Sequence, residues 1–246
     1  METQTPAVNN PRAMPVGRGA GWLLDGFGYF RKNPLAWIGI IILMFVLTLI
    51  IMLIPIIGGL AINLIMPIFM GGMMLGCQAQ AQGGELSVNH LFAGFSKNTV
   101  QLIVLGLLYM LGFILISIVL VALIFTMFGG MAMLESMQSG DPELVQENAK
   151  IFLLLFLVGT ALYLPLLMAY WFAPALIILA DVSPVAAMKM SFMGCLYNVL
   201  PFTLYGIVGV VLSIIASIPL GLGLLIFIPM MIASVYIAYR EIYNVT

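Results

Sequence analysis

Two stretches of the chain, residues 34–84 and 190–239, contain no Asp, Glu, Lys, Arg or His. They are 51 and 50 residues long. As unbroken helix each would reach about 75 Å, at ~1.5 Å per residue, whereas a bilayer core is about 30 Å thick. Each stretch must therefore cross, turn and return. Proline and glycine mark the turns, at Ile54-Pro55-Ile56-Ile57-Gly58-Gly59 and at Ile218-Pro219-Leu220-Gly221-Leu222-Gly223. Residues 99–134 are uncharged over 36 positions, room for one span and too little for a tight hairpin of two. The pattern predicts spans over about 35–54, 60–80, 101–125, 151–171, 199–218 and 224–239, with the fourth able to continue to Ala180. Twelve Ile, Leu, Val or Phe lie between Ile38 and Leu53. Together they favour insertion by roughly 4–7 kcal/mol, with no charge opposing it.

Between the spans the periodicity changes. In residues 21–33, Leu23, Phe27 and Phe30 recur at helical spacing, with Asp25, Gly28, Arg31 and Lys32 on the other face. Val88, Leu91, Phe92 and Phe95 repeat this at i, i+3, i+4 and i+7. Val185, Met188, Phe192 and Cys195 do so again, after Ser183 as a cap and Pro184 in the first turn. These are expected to be short helices lying in the membrane interface. The fold class is thus an all-α integral membrane protein, with six transmembrane helices and three short interfacial helices on the cytoplasmic face. Residues 21–243 form its single transmembrane domain. Residues 1–20 are polar and rich in Pro and Asn, with no short apolar core before a cleavage site, and are expected to be a disordered tail.

Composition agrees. The chain is 63% hydrophobic and 7% charged, against about 25% charged in a soluble domain. The net charge of −1 gives no global field to attract nucleic acid. With six spans, Arg12, Arg18, Arg31, Lys32, Lys97, Lys189 and Arg240 fall on the side of both termini, and Lys150 on the other. The bias puts both termini of a multi-pass membrane protein in the cytoplasm.

The three interfacial segments share a form: apolar short helix, then Asn, then span. The asparagines are Asn33, Asn98 and Asn198. In two copies the hairpin that follows is punctuated alike. Asn33 to Pro55 is 22 residues and Asn198 to Pro219 is 21; Pro55 to Pro67 is 12 and Pro219 to Pro229 is 10. All three copies enter from one side, which makes this a parallel internal repeat.

Candidate chemistry is sparse. Gly72 and Gly76 form a GxxxG pattern, and Ser213 and Ser217 a second small-residue pair; both allow close helix packing. Asn63, Thr160, Tyr163 and Ser213 are the polar groups of the spans best placed to line a cavity. The loop at 127–149 holds Glu135, Asp141, Glu143 and Glu147, whose spacing fits a solvated loop better than a calcium loop. Asp141-Pro142-Glu143 reads as a helix start. His90 reads as a solvated interfacial histidine. Cys77 and Cys195 are expected to stay reduced. No catalytic residue, metal ligand set or cofactor motif is assigned. An enzyme would need Asp25, His90, Lys97 and Asp181 brought together.

Several stretches resemble a family of uncharacterised six-span inner-membrane proteins of proteobacteria. They are Gly21-Trp22 through Gly26-Phe27, Phe30 and Asn33-Pro34-Leu35-Ala36-Trp37; Leu91-Phe92-Ala93-Gly94-Phe95; Phe172-Ala173-Pro174-Ala175-Leu176; and Ala187-Met188-Lys189-Met190-Ser191-Phe192 running into Cys195, Asn198 and Pro201-Phe202. More distantly the chain is similar to the membrane domain attached to some glycerophosphodiester phosphodiesterases. The resemblance implies an inner membrane and six helices, and no substrate or catalytic residue. The function expected is a non-catalytic scaffold, assembly or lipid-organising component, with a transporter or channel for a neutral or lipophilic compound as the alternative. The expected partners are membrane lipids, with another membrane protein or a second copy of the chain as further candidates.

Overall fold

A computed structural model describes residues 9–128, 138 and 142–245, and side chains outside 127–128 and 142–152. Its described elements are helical. In chain order they are α1 (Arg18–Lys32), α2 (Pro34–Met52), α3 (Ile57–Ala81), α4 (Asn89–Phe92) with a 3-10 turn (Ala93–Phe95), α5 (Thr99–Phe128), α6 (Pro142–Trp171), α7 (Ala173–Ala180), α8 (Pro184–Tyr197), α9 (Val199–Ser217) and α10 (Leu224–Ile242). Six stretches are long and apolar enough to cross a membrane: Pro34–Met52, Ile57–Ala81, Thr99–Thr126, Leu153–Ala180, Val199–Ser217 and Leu224–Ile242. The six-span, all-helical class is therefore as the pattern predicts. The chain divides into two units, Met1–Leu107 with Met168–Thr246, and Leu108–Leu167.

In the first unit, each short helix packs on the closing helix of the copy before it: α4 on α3, α8 on α7, and α1 on α10. Small residues permit the contact. A side chain on Gly26 would strike the carbonyl oxygen of Met230, and one on Gly94 that of Ile68. Each of those carbonyls belongs to the residue just after a proline, Pro229 and Pro67, so the two contacts share a register. In the third copy a hydroxyl replaces the glycine. Ser191 donates to the Met168 carbonyl at 2.6 Å and accepts from Phe172 N–H at 2.9 Å. That pair of bonds spans the break between α6 and α7.

The three asparagines close the arrangement. Asn33 Oδ1 accepts from Gln80 Nε2 at 3.1 Å and from Leu86 N–H at 3.5 Å, holding the chain that leads into α4. Asn98 Nδ2 donates to Asp181 Oδ1 and to the Ile177 carbonyl, both at 2.7 Å, holding the chain that leads into α8. Asn198 Oδ1 accepts from Met14 N–H at 2.8 Å, and its Nδ2 donates to the Arg12 carbonyl at 2.9 Å, holding the chain that leads into α1. Each copy thus holds the next, and the third holds the first. A short aromatic core lies under this layer, with Trp22, Trp171, Phe172, Phe202, Tyr205 and Tyr243 in mutual ring contact.

Several expectations are corrected. From Asn9 onward the supposed tail lies along the end of α10, with Arg12 N–H donating to the Ile242 carbonyl at 2.9 Å, and helix begins at Arg18. Residues 1–8 lie outside the described residues. The buried face of α1 is Gly19, Trp22, Leu23, Gly26 and Phe30, while Phe27 is exposed, because the helix packs on α9 and α10. Residues 89–95 make only one turn of α-helix and a 3-10 turn. Ser183 makes no capping bond, and α8 buries Ala187, Ser191, Gly194 and Cys195 instead of the larger residues. α6 does begin at Pro142, but Glu135 and Asp141, and the side chains of Glu143 and Glu147, lie outside the described residues.

The second unit consists of the remaining parts of α5 and α6. Tyr109 and Tyr163 share a hydrogen bond of 2.6 Å, Phe113 stacks edge-on against Tyr163, and Gly112 faces Leu166.

The asparagine bonds make a quantitative demand. Asn198 is fully buried and also donates to the Gly194 carbonyl at 2.8 Å. Asn198→Ala leaves Met14 N–H and two carbonyls without their partner. It is expected to destabilise the protein by about 1–3 kcal/mol and to open residues 9–16 to protease. Thermal unfolding and limited proteolysis in detergent measure both; unchanged values for the pair would refute the clamp.

Candidate functional site

Six charged residues of the first unit, Arg12, Arg18, Asp25, Lys32, Arg240 and Glu241, gather where α1 meets α10. Arg18 donates through Nε to Glu241 Oε2 at 2.9 Å and through Nη2 to Glu241 Oε1 at 2.5 Å. The same Nη2 donates to Asp25 Oδ2 at 2.8 Å. The buried indole of Trp22 also donates to Glu241 Oε2, at 2.9 Å. Arg18 thus bridges two carboxylates seven and 223 residues away. Its guanidinium is held above its ordinary pKa, first by the bond to Glu241 and then by that to Asp25.

Beside this bridge opens a cleft of about 610 Å³, lined by Arg12, Leu24, Asp25, Gly28, Tyr29, Lys32, Ile237, Arg240, Glu241, Asn244 and Val245. A smaller one of about 220 Å³ adjoins it, sharing Arg240 and Val245 and adding Gln78, Gln82, Leu179, Tyr236 and Tyr239. Lys32 Nζ lies 5.0 Å from the Tyr29 ring centre and donates to the Gln80 carbonyl at 3.3 Å. Arg240 lies 5.9 Å from the Tyr236 ring centre and donates to the Val245 carbonyl at 3.3 Å. Burial raises the Tyr29 phenol above its ordinary pKa, so it stays a neutral hydrogen-bonding group. Three polar atoms among the described residues are buried without a protein partner: Gln80 Oε1, Trp171 Nε1 and the Tyr239 hydroxyl.

The residues singled out by sequence lie elsewhere. Gly72 and Gly76 face His90, Leu91 and Leu86, so the GxxxG surface receives the α4 segment rather than another spanning helix. Ser213 and Ser217 are bonded back to Val210 and Ser213 in their own helix. Asn63 donates to the Gly59 carbonyl and Thr160 to the Phe156 carbonyl, both at 2.8 Å, and Tyr163 pairs with Tyr109. None of the four proposed cavity residues lines either cleft. Asp25 is bonded to Arg18, Asp181 to Asn98, and His90 Nδ1 accepts from Ser87 N–H at 3.0 Å. Among the described residues no three His, Cys, Asp or Glu side chains are grouped to hold a metal. Cys77 and Cys195 are free and buried, and burial pushes the Cys195 thiol up to about 12.

Sequence reasoning missed the Arg18–Glu241–Trp22 cluster. One signal was present: Arg240-Glu241 follows the uncharged residues 224–239 with no turn between, which places a charge on the last turn of a packed helix. Glu241→Ala strips Trp22 Nε1 of its acceptor and leaves Arg18 with an exposed partner only. The bridge is about 30% exposed on either side, so the expected loss is about 1–2 kcal/mol. Glu241→Gln keeps the Trp22 acceptor and is expected to lose less. Equal stability of both variants and the parent in detergent unfolding would show that the bridge contributes nothing.

No known family profile matches the chain, and no solved structure matches it. The chain is 28% identical over 250 residues to a probable inner membrane protein of Burkholderia thailandensis, a match covering 91% of this chain and 90% of the relative. The likeness to the membrane domain of glycerophosphodiester phosphodiesterases finds no support in these comparisons. The relative and the six apolar helices together support a multi-pass inner-membrane location.

Proposed function

We propose that this chain is a non-catalytic component of the inner membrane: a scaffold, assembly or lipid-organising protein with both termini in the cytoplasm. The observation that carries this reading is the ring of asparagine clamps, which holds in place the segments leading into α1, α4 and α8. Segments fixed in this way suit holding other molecules in position. The polar groups of the spans add support. Thr48, Asn63, Ser117, Thr203, Ser213 and Ser217 each donate to a carbonyl of their own helix, whereas carriers keep polar groups free to hold a substrate at mid-membrane.

The alternative, transport of a neutral or lipophilic compound, draws on Pro67, Pro165 and Pro229 inside spanning helices, since a proline releases the carbonyl four residues before it. For Pro67 that carbonyl is Asn63, and Gly106 packs directly against it. This favours a role in packing over one in lining a path.

Crosslinking in native membranes followed by co-purification is expected to recover a stable membrane partner or a second copy of the chain. A single tightly bound soluble metabolite with no partner would instead favour transport. Threading is checked with reporter tags at the C-terminus and within residues 135–147, which are expected to report opposite compartments. Seven of eight basic residues on one side underlie that expectation, and the same compartment for both tags would overturn it.

A further inference from the structure

We propose that the cleft between α1 and the end of α10 binds a phosphate ester, with an anionic phospholipid headgroup as its occupant. This deepens the lipid-organising reading above and rests on it.

The first support is unbalanced charge. Asp25 and Glu241 face the cleft, and Arg18 bridges both. Arg12, Lys32 and Arg240 line the same cleft, and none pairs with a carboxylate among the described residues. Their partners are neutral. Arg12 Nε donates to the Glu241 carbonyl at 2.8 Å, Lys32 to that of Gln80 and Arg240 to that of Val245. Each of these bonds uses one donor of a group that has three or five; Arg240 also bonds the Tyr29 and Tyr236 phenols, and Arg12 and Lys32 keep most of their donors for an anion.

The second support is that the cations are held in place. Lys32 and Arg240 rest on the rings of Tyr29 and Tyr236, while the Arg12 side chain is held by its Nε bond to the Glu241 carbonyl. Side chains already ordered lose less freedom when they close on an anion. The third support is the setting. The cleft has an apolar wall in Leu24 and Ile237, and Leu24 is 72% exposed on the outer face of α1. Phe27 is exposed one helical turn away. A headgroup in the cleft would leave its glycerol and first methylenes against that face. The volume of about 610 Å³ suits a ligand of this size.

The test uses the full chain in detergent and a fluorescent phosphatidylglycerol, with the same label on zwitterionic phosphatidylcholine as comparison. Phosphatidylglycerol is expected to bind the more tightly. Lys32→Gln and Arg240→Gln are each expected to weaken it about fivefold, in line with roughly 1 kcal/mol per basic residue near an anionic lipid. Lys97→Gln, outside the cleft, is expected to leave binding unchanged. Asp25→Asn is expected to tighten it, a direction that loss of folding would not produce. Competition with sn-glycerol 3-phosphate and with inorganic phosphate identifies the source. No displacement supports a lipid occupant, and displacement supports the same phosphate site filled from solution. Equal binding of the two lipids, or cleft variants indistinguishable from the parent, would overturn the proposal. That result leaves the scaffold reading standing, because the latter is decided by the recovered partner.

Discussion

A helix that stops inside a packed membrane protein leaves carbonyls and N–H groups with no intrahelical partner. In this chain the problem arises three times, at Asn33, Asn98 and Asn198, where a short helix gives way to a spanning one. Each time an asparagine side chain at the break bonds to a segment distant in sequence. An asparagine carries an acceptor and two donors on one neutral group, so it can bind exposed backbone without burying a charge. Asn198 uses both ends, accepting from Met14 and donating to Arg12 and Gly194. An aspartate there would lose the donors, and a lysine the acceptor.

The ring formed this way has one weak joint. The covalent chain connects the first copy to the second and the second to the third, but nothing covalent connects the third to the first. The extra interactions gather at that joint. The Arg18–Glu241 bridge, the Trp22 bond to Glu241, the backbone bond from Arg12 to Ile242 and the contact of Gly26 with Met230 all link α1 or the segment before it to α10. The other two joints carry a close contact of Gly94 with Ile68 and the Ser191 bonds to Met168 and Phe172, beside their asparagines, but no ion pair among the described residues. The concentration of charge near the termini therefore has a structural cause before it has a functional one.

This distinction explains what could be read in the sequence. The spans and their turns were legible because apolar length and Pro/Gly punctuation are local properties. The repeat was legible because Asn33 and Asn198, with the prolines after them, keep their spacing independently of hydrophobicity. The buried faces of the short helices were legible only in part: Leu23, Phe30, Leu91 and Cys195 are buried as the periodicity predicts. Gly19, Gly26, Ala187, Ser191 and Gly194 are buried because a neighbouring helix comes close, and hydrophobic periodicity scores such small residues weakly. It pointed instead to Phe27 and Val185, which face outward. The bridge from Arg18 to Glu241 joins residues 223 apart, and no local pattern pairs them. The order of residues 9–17 was hidden for the same reason, since their partners lie at the far end of the chain.

The joint also determines where chemistry can occur. Arg18 satisfies both carboxylates that face the cleft, and it is there to hold α1 on α10. By doing so it removes the two groups best able to neutralise Arg12, Lys32 and Arg240. Closing the ring thus leaves Arg12, Lys32 and Arg240 without a carboxylate partner among the described residues, next to an exposed apolar face. In the spans the described hydroxyls and amides mostly return to their own backbone, so among the described residues the charge gathers at the seam.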